Sequence, residues 1–384
     1  MIPPIYITGS GVVSAIGFGK AETREALMGA QSGIAPLRYL DTGLRDVLLG
    51  EVKATREELC ARCGAPASLS RTSLLGIIAL REALSEAGLS SLEGIPLIFG
   101  TTVGGMDLTE QTFPVYSRVH DCGASTGDIA AHFGGTPWAT TLSTACSSAA
   151  NALVLGANLI RCGLASRVAV GGSEALTSFH LNGFNALMIV DRKPCRPFDA
   201  TREGLNLGEG AGFLILESEA SVRARGVRPL ALLSGFGNAC DAFHQTASSP
   251  EGEGAFLAMT KALRLAGLRP EDIDYVNAHG TGTRDNDAAE SAALRRLFGD
   301  VLPPVSSTKA FTGHTTSASG SIEAVFCLLA LEGGWIPPQL HWKEADPSCI
   351  TPCTVLEHRP LRHVLCNAFG FGGNDTSLLI SRLV

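Results

Sequence analysis

Several features that would place the chain in a common class of protein are missing from its 384 residues. No apolar run approaches the roughly 18 residues that a membrane-spanning helix needs, and residues 1–4 (MIPP) offer no basic region ahead of an apolar stretch. Lysine and arginine number 30 against 37 aspartates and glutamates, which gives a net charge of -7 and no basic field for nucleic acid. We therefore expect a cytoplasmic protein that binds neither a membrane nor nucleic acid.

Charged residues are scarce at 17%, whereas hydrophobic residues make up 45% of the chain and glycine occurs 44 times. This composition favours one densely packed body over loosely connected modules. The eleven cysteines are an odd number in a large chain. We expect reduced thiols that mostly act as small buried hydrophobes, rather than a disulfide framework.

Short apolar runs alternate with helix-like segments along the chain, and glycine-containing turns separate them. Apolar runs without polar alternation predict strands that are covered on both faces, as in α/β proteins. The predicted strands are residues 5–8, 97–100, 168–171, 213–216, 275–277 and 378–381.

A weak internal repeat connects the two ends of the chain. Residues 83–89 (ALSEAGL) are echoed by residues 262–268 (ALRLAGL), and each copy precedes a predicted strand and a turn of glycine and threonine. The apolar helix predicted at 147–163 is echoed at 319–333. Two similar halves, each too apolar to stand alone, would bury their faces against one another. We predict that they meet near residue 235, with the site between them.

Cys146 is the candidate nucleophile. It lies in residues 144–152 (TACSSAANA), where a polar turn gives way to an alanine-rich helix. A helix N-terminus favours negative charge and would lower the thiol pKa from about 8.5 towards neutrality, and the thiolate is the nucleophilic form. A cysteine more often serves packing, but the helix start and the small neighbours, which leave room for an acyl group, favour chemistry here.

Two histidines lie in unusual settings. His279 opens residues 279–283 (HGTGT) directly after a predicted strand, and this loop lacks both the lysine of a P-loop and the full dinucleotide-binding pattern. His314 ends residues 306–314 (SSTKAFTGH), just ahead of the second apolar helix. Either could be a structural hydrogen-bonding residue. Close to Cys146, two neutral imidazoles could instead donate hydrogen bonds to a developing enolate oxygen.

Residues 367–375 (NAFGFGGND) alternate aromatic rings with glycine. Such a loop can move, and its backbone N–H groups can approach a ligand closely. The alternative is an aromatic turn that only fills the core.

Taken together, these segments resemble the elongating β-ketoacyl synthases of the thiolase-like superfamily, over essentially the whole chain. The resemblance implies a thiolase-like α/β fold of five layers, αβαβα, built by internal duplication. The two halves would be residues 1–235, with the nucleophile, and residues 236–384, with the histidines and the Gly-Phe-Gly-Gly loop. The segments found in family order are residues 7–14 (ITGSGVVS), 144–148 (TACSS), 196–199 (RPFD), 208–212 (GEGAG) and 370–373 (GFGG), with His279, Lys309 and His314.

The implied activity is the decarboxylative condensation of an acyl chain on Cys146 with a malonyl unit, in fatty acid, polyketide or polyene biosynthesis. Acyl carrier protein would bear both substrates on its phosphopantetheine, so no cofactor and no catalytic metal are expected. The resemblance also implies a homodimer, or a heterodimer with a related synthase-like chain.

Carried over by position, Cys146 receives the acyl chain, and His279 and His314 assist decarboxylation and stabilise the enolate. The backbone N–H groups of Cys146 and Phe371 form the oxyanion hole, and Lys309 orders and polarises the histidine region. The remaining implied roles are contact with the pantetheine arm for Thr281 and Thr283, an aromatic gate for Phe369 and Phe371, and a monovalent cation site for Asn277, Glu323 and Asn367.

The chain departs from the family pattern in three places. Residues 315–320 read TTSASG where relatives commonly have Gly-Ala-Ala-Gly, and the last loop ends in Asn374-Asp375 rather than Thr-Asn. The segment between Met106 and Thr144 is also shorter than in a typical elongating synthase. Because that segment belongs to the pocket floor and the region near the dimer axis, the preferred acyl length is the least transferable property.

Two other functions stay open. A thiolase would need a second active-site cysteine near the C-terminus, and Cys366 precedes Asn-Ala-Phe rather than a Cys-Gly-Gly-Gly-type turn. A chain-length-factor-like subunit would keep the fold and lack the nucleophile, and the presence of Cys146 argues against it.

Overall fold

The computed structural model describes residues 3–115 and 121–383. Most of its strands belong to one large sheet. The strands are β1 Ile5–Ser14, β2 Gly17–Phe18, β3 Ala35–Pro36, β4 Leu48–Leu49, β5 Leu97–Gly100, β6 Ala139–Leu142, β7 Arg167–Glu174, β8 Gly210–Ser218, β9 Ala231–Cys240, β10 Tyr275–Asn277, β11 Val305–Ser306, β12 Trp335–Ile336, β13 Glu357–His358, β14 His363–Gly370 and β15 Asn374–Ser381.

The α-helices of the described ranges lie mainly between these strands. None of them is long and apolar enough to cross a membrane. They are α1 Lys20–Met28, α2 Arg56–Cys63, α3 Arg71–Glu86, α4 Met106–Thr112, α5 Cys122–His132, α6 Ser148–Arg161, α7 Ser178–Ala186, α8 Glu219–Arg225, α9 Glu253–Ala266, α10 Arg284–Phe298, α11 Lys309–Thr312 and α12 Ser319–Gly333.

The strand order repeats across the middle of the large sheet. From the centre outwards, one side runs β1, β8, β7, β5, β6 and the other runs β9, β15, β14, β10, β11. On both sides the first two pairings are antiparallel and the next two are parallel. The two sides join through β1 and β9 by only two residue pairs, Tyr6 with Leu232 and Ile7 with Ala231. The duplication predicted from the sequence is therefore present as two half-sheets of identical topology.

The helices complete five layers. Helices α6 and α12 contact each other and pack against strands of both half-sheets, so they form the middle layer. Helix α3 covers the outer face of β1 and β8, and α9 covers the outer face of β9 and β15. The predicted echoes correspond to α3 with α9 and to α6 with α12. The placement of the boundary at residue 235 stays a prediction.

Glycines allow the middle layer to pack closely. A Cβ on Gly320 of α12 would lie 2.7 Å from the Cβ of Ala150 of α6, and a Cβ on Gly100 at the end of β5 would lie 2.6 Å from the backbone nitrogen of Ala149. Any larger residue at either position would push α6 away. Because Cys146 precedes α6, this packing also fixes where the sulfur lies.

Two predicted strands match the structure at both ends, β5 and β10. The others are longer than predicted, and β1 shows the reason. Gly9 and Gly11 suggest a turn in the sequence, but both lie inside the strand. Glycine is required there because backbone oxygens of α3 leave no room for a side chain. All eleven cysteines are free thiols, including Cys60 and Cys63, which form the one CxxC spacing in the sequence.

Candidate active site

Cys146, His279 and His314 meet at one end of the middle layer. Cys146 lies just before α6, His279 follows β10, and His314 lies a few residues before α12. The Cys146 Sγ atom is 3.1 Å from the His314 Nε2 atom, and the two imidazole rings lie edge to face with centroids 5.2 Å apart. One donor atom from each of the three residues lies within 4.8 Å of the others, a spacing that would also permit metal binding.

The backbone around Cys146 forms a tight turn. Ala145 has a φ of 51°, a left-handed conformation that a non-glycine residue rarely adopts, and it turns the chain just before the helix. Cys146 is only 5% exposed. Burial raises the pKa of its thiol to about 11, and this effect outweighs the Lys309 charge and the hydrogen bonds from the backbone N–H groups of Phe371 and Cys146, which lower it.

The predicted lowering of the Cys146 pKa is therefore wrong for the resting protein, because desolvation of the thiolate exceeds the stabilisation from the helix start. Cys162 and Cys240 are exposed thiols, so we expect brief alkylation to label them ahead of the buried Cys146. The structure thus describes a thiol that is shielded from solvent in the free protein.

His314 is held by hydrogen bonds at its Nδ1 atom. The backbone N–H of Thr316 donates to Nδ1 at 3.3 Å, and the Ser319 hydroxyl lies 3.0 Å from the same atom. Nδ1 acts as an acceptor, so the proton of the neutral ring belongs on Nε2, where it faces Cys146. Burial, followed by the charge of Lys309, holds the His314 pKa well below its usual value, so the ring is neutral.

His279 is held by its backbone rather than by its ring. Its N–H and that of Gly280 donate to the two carboxyl oxygens of Glu290 at 2.9 and 2.8 Å, while the His279 Nδ1 atom has no hydrogen-bond partner. Burial and Lys309 also hold the His279 pKa well below its usual value. Two neutral imidazoles therefore face the thiol, as predicted.

Lys309 lies behind the two rings in a buried ion pair. Its Nζ atom is 2.6 Å from Glu323 Oε1, and both side chains are almost completely buried. Burial raises the pKa of Glu323 to about 7, and the Lys309 charge opposes that rise. The ammonium group forms an ion pair with Glu323. This agrees with an ordering and polarising role for Lys309 rather than nucleophilic attack.

A cavity of about 210 Å³ connects these groups to the surface. Thr281 and Thr283 line it, and their hydroxyl groups are 2.8 Å apart. Phe369 and Phe371 line it as well, and the Phe369 ring lies 5.8 Å from the His279 ring. The predicted pantetheine contacts and the predicted aromatic gate therefore surround one cavity.

The predicted cation trio is not brought together. Asn277 and Glu323 each retain a buried oxygen without a hydrogen-bond partner. Asn367, in contrast, donates to Glu290 and accepts from Ser377. Side chains alternate along β14, so Cys366 packs in the central core while Leu365 and Phe369 pack with the outer helices, and Asn367 shares their face. The Asn367 side chain therefore lies on the opposite face of β14 from the central core, and its part in a cation site stays a prediction.

Two residues that sequence reasoning missed lie at the site. Glu174 ends β7 and accepts hydrogen bonds from the turn after β5 and from the loop after His314. Phe184 of α7 stacks on Phe371, with ring centroids 5.8 Å apart. An acidic residue at the end of an apolar, glycine-containing segment was the only available signal for Glu174, and Phe184 had none.

A thiolase-type second cysteine is not found at the site. Cys366 is 1% exposed and packs in the hydrophobic core between the half-sheets. Among the described residues, Cys146 is the one cysteine grouped with His279 and His314.

The fold and this site define a condensing enzyme. Residues 3–221 match the model of the β-ketoacyl synthase N-terminal domain, and residues 230–343 match that of the C-terminal domain. The chain belongs to the β-ketoacyl synthase family. It is an acyltransferase of the 3-oxoacyl-[acyl carrier protein] synthase type, acting in fatty acid or polyketide synthesis, as the resemblance predicted.

Two relatives and one solved structure show how similar the chain is to known proteins of the family. The chain is 36% identical over 402 residues to nodulation protein E of Rhizobium meliloti strain 1021, which covers 99% of each chain. It is 32% identical over 405 residues to 3-oxoacyl-[acyl-carrier-protein] synthase 2 of Staphylococcus aureus strain COL, covering 98% of each. Among solved structures, the ishigamide ketosynthase/chain length factor aligns over 100% of both chains with a TM-score of 0.92 and 31% identity.

Proposed function

We propose that this protein condenses an acyl chain carried on Cys146 with a malonyl thioester of acyl carrier protein. The observation that carries this proposal is the meeting of the Cys146 thiol with two neutral imidazoles at the end of one cavity. The thioester partner is acyl carrier protein, by analogy with the staphylococcal synthase that carries that partner in its name.

The first half-reaction loads the enzyme. The pantetheine arm enters past Thr281 and Thr283, and Cys146 Sγ attacks the acyl thioester carbonyl. The new carbon–sulfur bond forms as the bond to the pantetheine sulfur breaks, and the thiol proton ends on the departing sulfur. The backbone N–H groups of Cys146 and Phe371 hold the oxyanion, a role supported by their hydrogen bonds to the sulfur in the free protein.

Loading also changes what His314 can do. In the free protein its Nε2–H faces the sulfur at 3.1 Å. Once the sulfur is a thioester, it is a much weaker acceptor, so the Nε2–H becomes available for the next substrate. The acylated enzyme is therefore better prepared for the malonyl group than the free enzyme.

The second half-reaction uses the imidazoles. The malonyl carboxylate leaves as carbon dioxide, and the electron pair of the broken carbon–carbon bond moves into an enolate whose oxygen accepts hydrogen bonds from His279 and His314. The enolate carbon attacks the Cys146 thioester carbonyl, and the bond from that carbonyl to Sγ breaks. Cys146 leaves as a thiolate, which takes a proton from water to restore the thiol. Lys309 supports both steps by keeping the imidazoles neutral and favouring the thiolate.

Intact-mass measurement tests the loading step directly. After incubation with a panel of acyl-carrier thioesters, the protein should gain the mass of the preferred acyl group, and Cys146→Ala should gain none. The added mass identifies the chain length and starter group. Loading that survives in Cys146→Ala would contradict the assignment.

A monovalent cation beside the ion pair is a further part of the proposal. Asn277 and Glu323 would hold it, because each has a buried oxygen without a partner. Such an ion would share the Glu323 carboxyl group with Lys309 and give the two free oxygens a partner. A change in thermal stability between potassium and tetramethylammonium buffers, lost in Asn277→Ala, would support the site.

We propose a dimer in the cytoplasm, either of two identical chains or of this chain with a related one. Exposed Phe113 and Phe179 line one open groove of about 1000 Å³, which suits a protein partner. The similar ishigamide protein is a ketosynthase/chain length factor pair. For a dimer of identical chains, sedimentation of the isolated chain should give about twice its 40.0 kDa mass, and a stable, active monomer would contradict a dimer of either kind.

A further inference from the structure

Hydroxyl groups occupy the loop between His314 and α12. By position, Ser317 stands where relatives commonly have glycine and Ser319 stands where they commonly have alanine. Both serines are completely buried. Buried hydroxyls are costly unless they form hydrogen bonds, so their partners indicate what they are for.

Ser319 contacts the imidazole itself. Its Oγ atom is 3.0 Å from His314 Nδ1 and 3.2 Å from the Thr315 hydroxyl. The Thr315 hydroxyl can donate to Ser319, which leaves the Ser319 proton for Nδ1. With the Thr316 N–H, two donors then meet at one ring nitrogen.

Glu174 fixes the loop that supplies these donors. Its carboxyl group accepts hydrogen bonds from the Ser317 hydroxyl and from the Thr316 hydroxyl at 3.4 Å. On its other side it accepts from the turn after β5. Those donors are the Thr101 hydroxyl at 2.6 Å and the backbone N–H groups of Thr102 at 2.9 Å and Val103 at 3.0 Å.

The loop needs such an anchor. Thr316 has a φ of 45°, a backbone conformation that costs a β-branched residue free energy. The conformation persists because surrounding contacts hold it, and it is what aims the Thr316 N–H at His314. Among the described residues, no lysine or arginine forms an ion pair with Glu174, so its hydrogen bonds to the two loops are its stabilising contacts.

We propose that Ser319 and Glu174 are positioning residues for His314, an inference that rests on the condensation mechanism above. Ser319 and the Thr316 N–H keep Nδ1 as an acceptor, so the ring proton stays on Nε2 and faces the reacting groups. Glu174 holds the strained loop in the conformation that presents the Thr316 N–H. Relatives with alanine at position 319 would rely on the backbone donor alone.

The test compares two serines of α12. Ser319→Ala should slow malonyl decarboxylation by about 2- to 10-fold, the effect of one neutral hydrogen bond, and leave acyl loading unchanged. Ser321→Ala is the matched control, because Ser321 is equally buried and its hydroxyl contacts only the Ala318 carbonyl. Glu174→Gln should slow decarboxylation at least as much, because the N–H groups of the glutamine amide would face hydroxyl groups that are themselves donors.

Imidazole ¹⁵N spectra give a readout independent of substrate, with the His314 signals identified by their loss in His314→Ala. Ser319→Ala should gain a population with the proton on Nδ1, and Ser321→Ala should not. Unchanged spectra and rates in Ser319→Ala would overturn the proposal, as would equal losses of loading and decarboxylation in both serine variants. If the wild-type protein fails to decarboxylate malonyl carrier at all, the proposed function fails, while the spectra still decide the role of Ser319.

Discussion

The two halves share one strand order but place different chemistry at the shared edge of the molecule. In the N-terminal half the residue ahead of the central helix α6 is Cys146, and in the C-terminal half the corresponding helix α12 follows His314. The fourth strand from the centre of each half-sheet, β5 or β10, is followed by Thr101 in one half and leads to His279 in the other. The duplication places two similar half-sheets around one cavity, and the residues that differ between them supply different steps of the reaction.

The same comparison extends to the turns. The turn after β5 donates backbone N–H groups to Glu174, and the turn after β10 donates backbone N–H groups to Glu290. Burial raises the pKa of Glu290 to about 7. Each half thus fixes its active-site turn with a buried carboxyl group, but only the second turn carries an imidazole. Loading therefore depends on the nucleophile of the N-terminal half, and decarboxylation depends on the two histidines of the C-terminal half.

The largest expected effect is on the N-terminal half. Cys146→Ala should abolish acyl-enzyme and reduce condensation by about 10³-fold or more, because a covalent intermediate cannot form. Cys366→Ala is the control, since Cys366 is a buried core thiol away from the site. Intact mass and product formation measure the two quantities. Comparable losses in both variants would indicate damage to the fold rather than to the nucleophile.

Substitutions in the C-terminal half should affect the other half-reaction. His279→Ala and His314→Ala should each slow decarboxylation by about 10²- to 10³-fold, the usual loss for one preorganised donor, while loading persists. The double variant should lose less than the product of the single effects, because both donors serve one oxygen. Carbon dioxide release from malonyl carrier measures the rate. An equal fall in loading would remove the distinction between the halves.

The ion pair behind the histidines should contribute mainly to stability. Lys309→Met leaves Glu323 buried without its partner and should lower the free energy of unfolding by about 3 to 5 kcal/mol. Lys309→Met combined with Glu323→Leu should recover much of that loss, because no buried charge is left. Urea unfolding of the three proteins decides this. A double variant no more stable than Lys309→Met would contradict it.

The last expected effect concerns Asp375, which stands where relatives commonly have asparagine. Burial, followed by the charges of Asp241 and Glu290, raises its pKa to about 8. The folded protein therefore keeps a proton on Asp375 up to about pH 8, whereas the unfolded chain releases it near pH 4. The contribution of Asp375 to stability is present at low pH and is lost as the pH rises to about 8. Asp375→Asn should become more stable relative to wild type between pH 5 and pH 8. The exposed Asp300→Asn is the control, and a pH-independent difference between wild type and Asp375→Asn would argue against the raised pKa.

Much of the fold could be predicted because its signals are local. Apolar runs bounded by turns located β5 and β10 at their observed ends, and the helix predicted at 319–333 is α12. The nucleophile and the two histidines could also be predicted, since each lies in a short motif next to a helix or strand. The structure confirms that they meet, and their catalytic roles remain predictions for the experiments above.

What the sequence could not provide depends on burial and on long-range contacts. A helix start predicted a lower pKa for Cys146, but the pKa rises because the surrounding core excludes water. Asn367 lies one residue from Cys366, yet strand alternation places the two on opposite faces. Glu174 reaches Ser317 across more than a third of the chain, and no short motif signals such a contact.

The separation of loading from decarboxylation is tested most directly with Cys146→Gln. Its amide side chain resembles an acylated cysteine, and it leaves the imidazoles in place. Acyl-enzyme mass and carbon dioxide release should be measured on this variant, on His314→Ala and on the wild-type protein with the same carrier substrates. We expect no acyl-enzyme but continued carbon dioxide release for Cys146→Gln, and acyl-enzyme with release slowed by about 10²-fold or more for His314→Ala. Decarboxylation at the wild-type rate in His314→Ala and His279→Ala would contradict the mechanism, even with the fold intact.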